Sequence, residues 1–400
     1  MNNTKSLPIW PMSLLITGNV LGVGVLALPI KTGLSGFTLA TISIIGIWMM
    51  MCFTALIIAK RIHPTDNLRF DIPSFFKQEI GSKIKWLVIV ANLIILYGLI
   101  TAYLSMVGSL VTNLLPKILH PKFIIILYFI ILLFLISYGI KILRRSNMII
   151  IICIWVSFII LIHFAKKPFN PDYLTYMDWR ALPFSLPVIV STFHFHNIIP
   201  TVCYQLNFQY KAIKRAIIQG TLIGLCINLL WITLVLGDLP VHGITHLSII
   251  YAAAHGEPAT VPLALDLHSD LFILFSMIFA LFAVTASYMA NGTGLLNFIR
   301  DLVSHFFKTD NTPLCFILAF APPLIITLFD PRIFLKAINL VGGVGETILF
   351  GILPALILLK SINVLKTESS SKSVYGYLIL TVSCFILIFA VLQQFLPSSY

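Results

Sequence analysis

The chain has 400 residues, of which 59% are hydrophobic and 10% charged, with a net charge of +12 and a mean hydropathy of +1.00. Soluble domains carry about 25% charged residues, so this composition excludes a soluble globular protein. The positive charge lies in short loops between apolar runs, not on a basic helix above a soluble core, which argues against nucleic-acid binding. The six cysteines are scattered without CxxC pairing, so neither a metal site nor a disulfide framework is expected.

Apolar runs of about 20 residues, the length that crosses a bilayer, predict eleven membrane spans in one polytopic domain over residues 1–400. The spans run approximately over Ile9–Ile30, Gly36–Ala59, Trp86–Leu115, Phe123–Ile140, Met148–Phe164, Leu182–Cys203, Ile213–Leu236, Leu271–Ile299, Leu314–Phe329, Phe334–Leu359 and Val374–Phe395. With a cytoplasmic N-terminus, 18 of the 26 Lys and Arg fall inside and 8 outside. The positive-inside rule therefore predicts the N-terminus inside and the C-terminus outside.

Two loops carry patterns of their own. In Asp66–Ile84, four apolar residues recur at helical spacing and predict an amphipathic helix on the cytoplasmic face: Ile72, Phe75, Phe76 and Ile80. The longest outer segment is Asp238–Asp266, where Ile244–Ala254 is expected to form a short re-entrant or lid helix. Its histidines have no ligand spacing, so a solvated loop is the preferred reading over metal binding.

The first span carries Gly18, Gly22 and Gly24 within seven residues, followed by Pro29. Each glycine lowers helix stability by about 1 kcal/mol relative to alanine, so the cluster marks a place where the helix can open. Open backbone at membrane depth is tolerated only where it lines a cavity or is buried in protein. The alternative is a close-packing face, because Gly18 and Gly22 are four apart.

The sixth span places His194, His196 and Asn197 in the middle of an apolar segment, followed by Pro200. Such polar groups are costly at bilayer depth unless they face a polar interior. Proline removes a backbone donor and obstructs the carbonyl four residues earlier, so the helix is expected to break near His196. A metal-binding HxH pair is disfavoured, because no carboxylate or cysteine accompanies it.

Breaks in the first and sixth spans predict two inverted repeats, over about residues 9–164 and 182–359, with an extra helix at about 374–395. Half-helix ends suit a zwitterion, since free N–H groups attract a carboxylate and free carbonyls attract an ammonium. We therefore expect the substrate to meet backbone at the two breaks. The candidate residues there are Thr17, Gly18, Asn19, Gly22, Gly24, Phe193, His194, His196 and Asn197.

Other polar residues lie inside predicted spans. Ser287 and Asn291 are four apart in the eighth span and share a face, which favours either the cavity wall or a helix–helix hydrogen bond. Tyr97 in the third span is a candidate wall for the substrate side chain. Glu346 lies near the middle of the tenth span, where a carboxylate must be protonated or paired. His196 and Glu346 are thus candidates for proton coupling. The alternative, which is compatible with it, is that Glu346 is a structural partner of His196 or Asn291.

Four motifs together resemble the bacterial hydroxy and aromatic amino acid permeases, the family that includes tryptophan-, tyrosine- and serine-specific transporters. They are GNVLGVGVLALP (Gly18–Pro29), FHFHNIIPTV (Phe193–Val202), ASYMANGTGLLNFIRD (Ala286–Asp301) and PPLIITLFDPRIFLKAINLVGG through LPALILL (Pro322–Leu359). The resemblance is collinear over nearly the whole chain. His194, Asn197 and Ile198 stand where the family usually has small residues.

The resemblance implies an all-α permease of the amino acid–polyamine–organocation superfamily in the bacterial inner membrane, with discontinuous helices 1 and 6. It would import an amino acid, aromatic by the nearest branch (tyrosine or tryptophan), together with protons. No cofactor, metal or nucleic acid is expected; the partners are the amino acid, the proton and membrane lipid. A serine/threonine-type permease and, with less support, a polytopic membrane enzyme are the alternatives.

Overall fold

The computed structural model describes residues 8–22, 24–63, 72–114, 120–137, 153–164, 169–243, 246–308, 311–365 and 370–394, and these residues contain helices and no strand. The helices are α1 Ile9–Val20, α2 Gly24–Gly33, α3 Phe37–Arg61, α4 Ile72–Ile80, α5 Lys85–Leu114, α6 Pro121–Ser137, α7 Cys153–Phe164, α8 Leu182–Thr192, α9 Ile199–Gln205, α10 Tyr210–Asp238, α11 Ile249–His255, α12 Thr260–Leu267, α13 Asp270–Phe307, α14 Thr312–Phe329, α15 Phe334–Leu340, α16 Leu353–Leu365 and α17 Ser370–Gln393. Short 3-10 turns occupy Ser82–Ile84, Pro171–Thr175 and His196–Ile198, and a wide π-helical segment, Val341–Ile352, joins α15 to α16.

Within the described residues, eight helical stretches are long and apolar enough to cross a membrane, and the bent pair α1–α2 brings the number to nine. The fourth and fifth predicted spans correspond to α6 and α7, which are shorter and flank residues 138–152, outside the described part. The all-helical membrane fold is thereby confirmed, while the count of eleven spans stays a prediction. Large apolar side chains on the outer surface, such as Ile42, Ile159 and Phe329, are more than half exposed, as expected of lipid-facing positions.

The two predicted helix breaks are present. Between α1 and α2 the chain bends by 51° at Leu21 and Gly22, beside the glycine cluster. Between α8 and α9 regular winding stops at Thr192, and the chain resumes α-helix only at Ile199. Pro200 lies in the first turn of α9. Backbone N–H groups in the first turn have no partner within the helix, so the lack of an N–H in proline costs no hydrogen bond there. Local backbone chemistry therefore sets both breaks.

Glycines bring the central helices into close contact. A Cβ atom on Gly220 would lie 2.5 Å from the Ser13 carbonyl oxygen, and one on Gly224 would lie 2.6 Å from Val20 Cγ1. This four-residue glycine spacing lets α10 pack directly on α1, the packing mode that membranes favour because apolar area alone drives little association there. In the same way, Gly342 of the wide segment lies against the Pro187 carbonyl of α8, where an added Cβ would approach to 1.9 Å.

The loop predictions are also partly tested. The amphipathic helix is present as α4, with Phe75 and Phe76 buried, although residues 64–71 lie outside the described part. Arg61 Nη1 lies 3.5 Å from Glu79 Oε2, and Lys360 Nζ donates to the Glu79 carbonyl at 2.9 Å, which holds α4 against α3 and α16. In the outer segment, the expected helix over Ile244–Ala254 appears as α11, later and shorter, because Ser248 caps its first turn through the Tyr251 N–H. A second helix there, α12, was not predicted.

Candidate functional site

The two helix breaks meet in space. A Cβ atom on Gly24, the first residue of α2, would lie 2.8 Å from Thr192 Cα and 3.0 Å from Thr192 Oγ1, at the end of α8. Only glycine permits this approach, because part of the obstruction is backbone. The N-terminus of α2 and the C-terminus of α8 therefore lie side by side, which places opposite ends of two helix dipoles at one locus.

On the α1 side, Gly18 and Gly22 line the break. A Cβ atom on Gly18 would meet no described atom within 4 Å, so this glycine faces open space. One on Gly22 would lie 3.6 Å from Ser287 Oγ, which brings α13 to the break. Thr17 is buried and donates to the carbonyls of Ser13 and Gly220, so its hydroxyl is used in packing against α10. Asn19 donates to the Leu15 carbonyl at 3.3 Å and is half-buried.

A polar patch on α13 extends the site towards α5. Asn291 Nδ2 donates to the Tyr103 hydroxyl at 3.0 Å and to the Ser287 carbonyl at 3.0 Å. Tyr103 is buried, interacts with the Ser287 side chain and lies within electrostatic range of Glu346. This patch lies between the α1 break, which Ser287 adjoins, and the wide segment, whose Glu346 is within electrostatic range of Tyr103.

The break after α8 presents two imidazoles around Phe350. His194 stacks on the Phe350 ring at 5.3 Å between centroids, and His196 does so at 4.6 Å. His194 Nδ1 lies 3.1 Å from Glu346 Oε1. His196 is buried and its Nε2 lies 3.0 Å from Thr54 Oγ1 on α3. The alternative in which Glu346 pairs with His196 or Asn291 is not found. Both of those side chains bond elsewhere, and His194 lies beside the carboxylate instead.

Below the breaks lies a cavity of about 1040 Å³. Its inner end is formed by His194, Phe350 and Asn291, and its wall on α5 by Asn92, Ile95 and Leu96. Its mouth is formed by Gln205, Arg300, Asp301 and the first turn of α4. Every one of these mouth elements belongs to the side on which lysine and arginine accumulate in the sequence.

The structure brings most of the predicted site residues together and separates a few. His194, Asn197 and Asn291 line the cavity, and Gly18, Gly22, Gly24 and Ser287 lie at the α1 break. Phe193 is fully buried and, with Thr17, belongs to the packing behind the site. Tyr97 donates to the Leu318 carbonyl of α14 at 2.6 Å and does not line the described cavity. Sequence reasoning missed Thr54, Tyr103 and Phe350, since nothing in an apolar helix marks which side chain faces a partner on another helix.

Comparisons with known proteins agree with this geometry. Residues 5–395 match the family model described as "Tryptophan/tyrosine permease family". "Tyrosine-specific transport system 1" of Haemophilus influenzae is 27% identical over 337 residues, with 82% of each chain covered. "Tryptophan-specific transport protein" of the same organism is 25% identical over 402 residues, covering 94% of this chain and 92% of its own. The solved structure of MhsT in complex with L-phenylalanine shares the fold, with a TM-score of 0.61 at 14% sequence identity. The match covers 97% of this chain and 98% of the MhsT chain.

Proposed function

We propose, since the chain belongs to the tryptophan/tyrosine permease family, that it imports an aromatic amino acid across the bacterial inner membrane by proton symport. Tyrosine and tryptophan are the first candidates. The observation that carries this proposal is the meeting of two helix breaks through Gly24 and Thr192. The second break also supplies His194 and Asn197 to the lining of the cavity.

The chemistry of the two breaks suits the common part of every amino acid. The first N–H groups of α2 have no partner within their own helix and attract the α-carboxylate. The last carbonyls of α8 accept from the α-ammonium group. Because both sets are backbone groups fixed by helix geometry, they are held in place before the substrate arrives, and little ordering is needed on binding.

The side-chain portion of the site suits an aromatic substrate. Phe350, Ile95 and Leu96 supply apolar surface beside the amide groups of Asn291 and Asn197. An aromatic ring gains contact area and favourable ring geometry against such a wall, whereas serine would leave most of it unfilled. Curated relatives named for tyrosine and tryptophan transport point to the same class.

The cavity opens to the cytoplasm in the proposed orientation. The mouth carries Arg300 and the first turn of α4, a helix that Arg61 and Lys360 tether through Glu79. The positive-inside rule places these basic ends in the cytoplasm, with the N-terminus inside and the C-terminus in the periplasm. The structure then corresponds to an inward-facing state, in which the substrate leaves through the cavity.

The repeat arrangement belongs to the same proposal. Residues of about 9–164 and 182–359 form two inverted halves, so that the broken first and sixth spans occupy equivalent positions, and α17 is the additional helix. Direct contact between α2 and α8 supports this arrangement, because equivalent broken helices of inverted repeats face one another at the substrate site.

The test is uptake of radiolabelled tyrosine, tryptophan and serine into proteoliposomes of the purified protein, with and without an imposed pH gradient. We expect tyrosine or tryptophan to accumulate when the side corresponding to the periplasm is acidic, and a protonophore to abolish accumulation. Preferential uptake of serine would favour the serine/threonine-type alternative. Uptake that depends on sodium and ignores the pH gradient would refute proton symport while leaving amino acid transport intact.

A further inference from the structure

We propose that His194 and Glu346 form one proton-binding unit, which takes up the coupling proton from the outer side and releases it to water in the cytoplasmic cavity. This inference rests on the proposed proton symport. It assigns the proton to a particular pair of side chains, and it gives His196 a positioning role in place of a carrier role.

The first step concerns the burial of Glu346. Its side chain is fully buried in the wide segment, and neither carboxylate oxygen has a hydrogen-bond donor among the described residues. His194 Nδ1 lies 3.1 Å from Oε1, at ion-pair distance. A buried carboxylate without a hydrogen-bond donor needs a compensating positive charge or a bound proton, and His194 is placed to provide either.

The second step concerns the proton count. A neutral His194 beside a protonated Glu346 holds one proton, and so does an imidazolium beside a carboxylate. Both arrangements have no net charge, whereas losing the proton leaves a bare negative charge. The coupling proton of this proposal is therefore a single proton shared by the two side chains.

The third step concerns the other helices around Glu346. Among the described residues, α17 meets the wide segment through Ala390 and Ser383, and α8 meets it through Pro187. On α5, Ile95 packs against Gly345, and Tyr103 is the titratable group within electrostatic range. α3 contributes Thr54, whose hydroxyl is engaged by His196 and by the Met51 carbonyl. His194 is thus the basic group that reaches the carboxylate.

The fourth step concerns access and coupling. His194 lines the cavity, so a proton on the pair has a path to the cytoplasmic side. On the other side, Tyr103 lies within electrostatic range of Glu346 and interacts with Asn291 and with Ser287, which adjoins the α1 break. Occupation of the break by a substrate therefore acts on the same hydrogen-bonded patch that adjoins the carboxylate. His196 stacks on Phe350 and is anchored to Thr54, so it supports the ring against which His194 packs.

The experiment compares proton-driven accumulation with counterflow exchange in proteoliposomes, using tyrosine or whichever substrate the wild type carries. Counterflow at equal pH on both sides needs substrate binding and alternating access but no net proton movement. With one proton per substrate, a gradient of one pH unit supports about tenfold accumulation. We expect Glu346→Gln and His194→Gln each to reduce accumulation to about onefold. Counterflow should persist in Glu346→Gln, and Glu346→Asp should recover part of the accumulation. Pyranine inside the vesicles should report substrate-induced acidification in the wild type and none in the two Gln variants.

The control is Glu257→Gln, which changes another buried glutamate, on the outer face and outside the proposed site; it should accumulate substrate like the wild type. Wild-type accumulation in Glu346→Gln or in His194→Gln overturns the assignment, and so does loss of counterflow in Glu346→Gln, which would place that residue in folding or substrate binding. A wild type indifferent to pH would instead refute proton symport itself, so the two failures are distinguishable.

Discussion

Gly24 provides the sharpest test of the contact between the two breaks. In Gly24→Ala, the new methyl group would lie 2.8 Å from Thr192 Cα, 3.0 Å from Oγ1 and 3.3 Å from Cβ. The obstruction includes backbone, so rotation of the threonine side chain does not relieve it. Overpacking of this kind costs about 1–3 kcal/mol. Applied to the conformation in which α2 rests on α8, that cost changes its population by about 5- to 150-fold.

The assay is the initial rate of radiolabelled tyrosine or tryptophan uptake in proteoliposomes, together with thermal unfolding of the purified protein in detergent. We expect Gly24→Ala to lose at least about 80% of transport, consistent with the lower end of that population change. The matched control is Gly46→Ala in α3, where an added Cβ meets no described atom within 4 Å. A helical glycine replaced by alanine without a clash gains up to about 1 kcal/mol, so this control should transport normally. Equal transport and equal stability for Gly24→Ala and the wild type would refute the reasoning.

Three further outcomes are expected. Tyr103→Phe removes the hydroxyl that accepts from Asn291 at 3.0 Å. Loss of a hydrogen bond worth about 1 kcal/mol should raise the KM for the amino acid by about fivefold. Tyr97→Phe, which lies outside the cavity, should leave the KM unchanged. Phe350→Leu removes the ring on which both imidazoles stack. It should reduce the preference for tyrosine over serine, measured as the ratio of their uptake in competition. An unchanged tyrosine-to-serine ratio would contradict an aromatic wall at this position. Burial raises the pKa of Glu257 above its ordinary value of 4.5, and His255 and Arg332 oppose this shift. The folded state therefore binds the Glu257 proton more tightly than the unfolded state does. As a result, the stability of the fold decreases as the pH rises from 4.5 through the raised pKa of the folded state. Glu257→Gln should flatten that part of the profile of thermal stability against pH, and a profile identical to the wild type would contradict the assignment.

The peripheral elements show why short helices are harder to predict than long ones. In α4, the apolar spacing of Ile72, Phe75 and Phe76 is clear, and the helix lies where the pattern predicts. In the outer segment, α11 starts later than expected, because the Ser248 side chain caps the Tyr251 N–H and Gly256 ends the helix with φ of +67°. A few hydrogen bonds determine where such a helix begins and ends, and apolar periodicity does not predict them.

The all-helical membrane fold and both helix breaks follow from the sequence, because apolar length and the backbone of Gly22, Gly24 and Pro200 act through their immediate neighbours in the chain. Which polar groups meet depends on the tertiary structure. The sequence offers His196 and Asn291 as alternative partners for Glu346, yet His194 lies beside it and His196 bonds to Thr54. These partners lie more than a hundred residues apart in the chain. Apolar periodicity shows on which face of its own helix a residue lies, but it does not show how a neighbouring helix is rotated or shifted against that face. That rotation is set by packing between helices, here by glycines that admit backbone where other residues would clash.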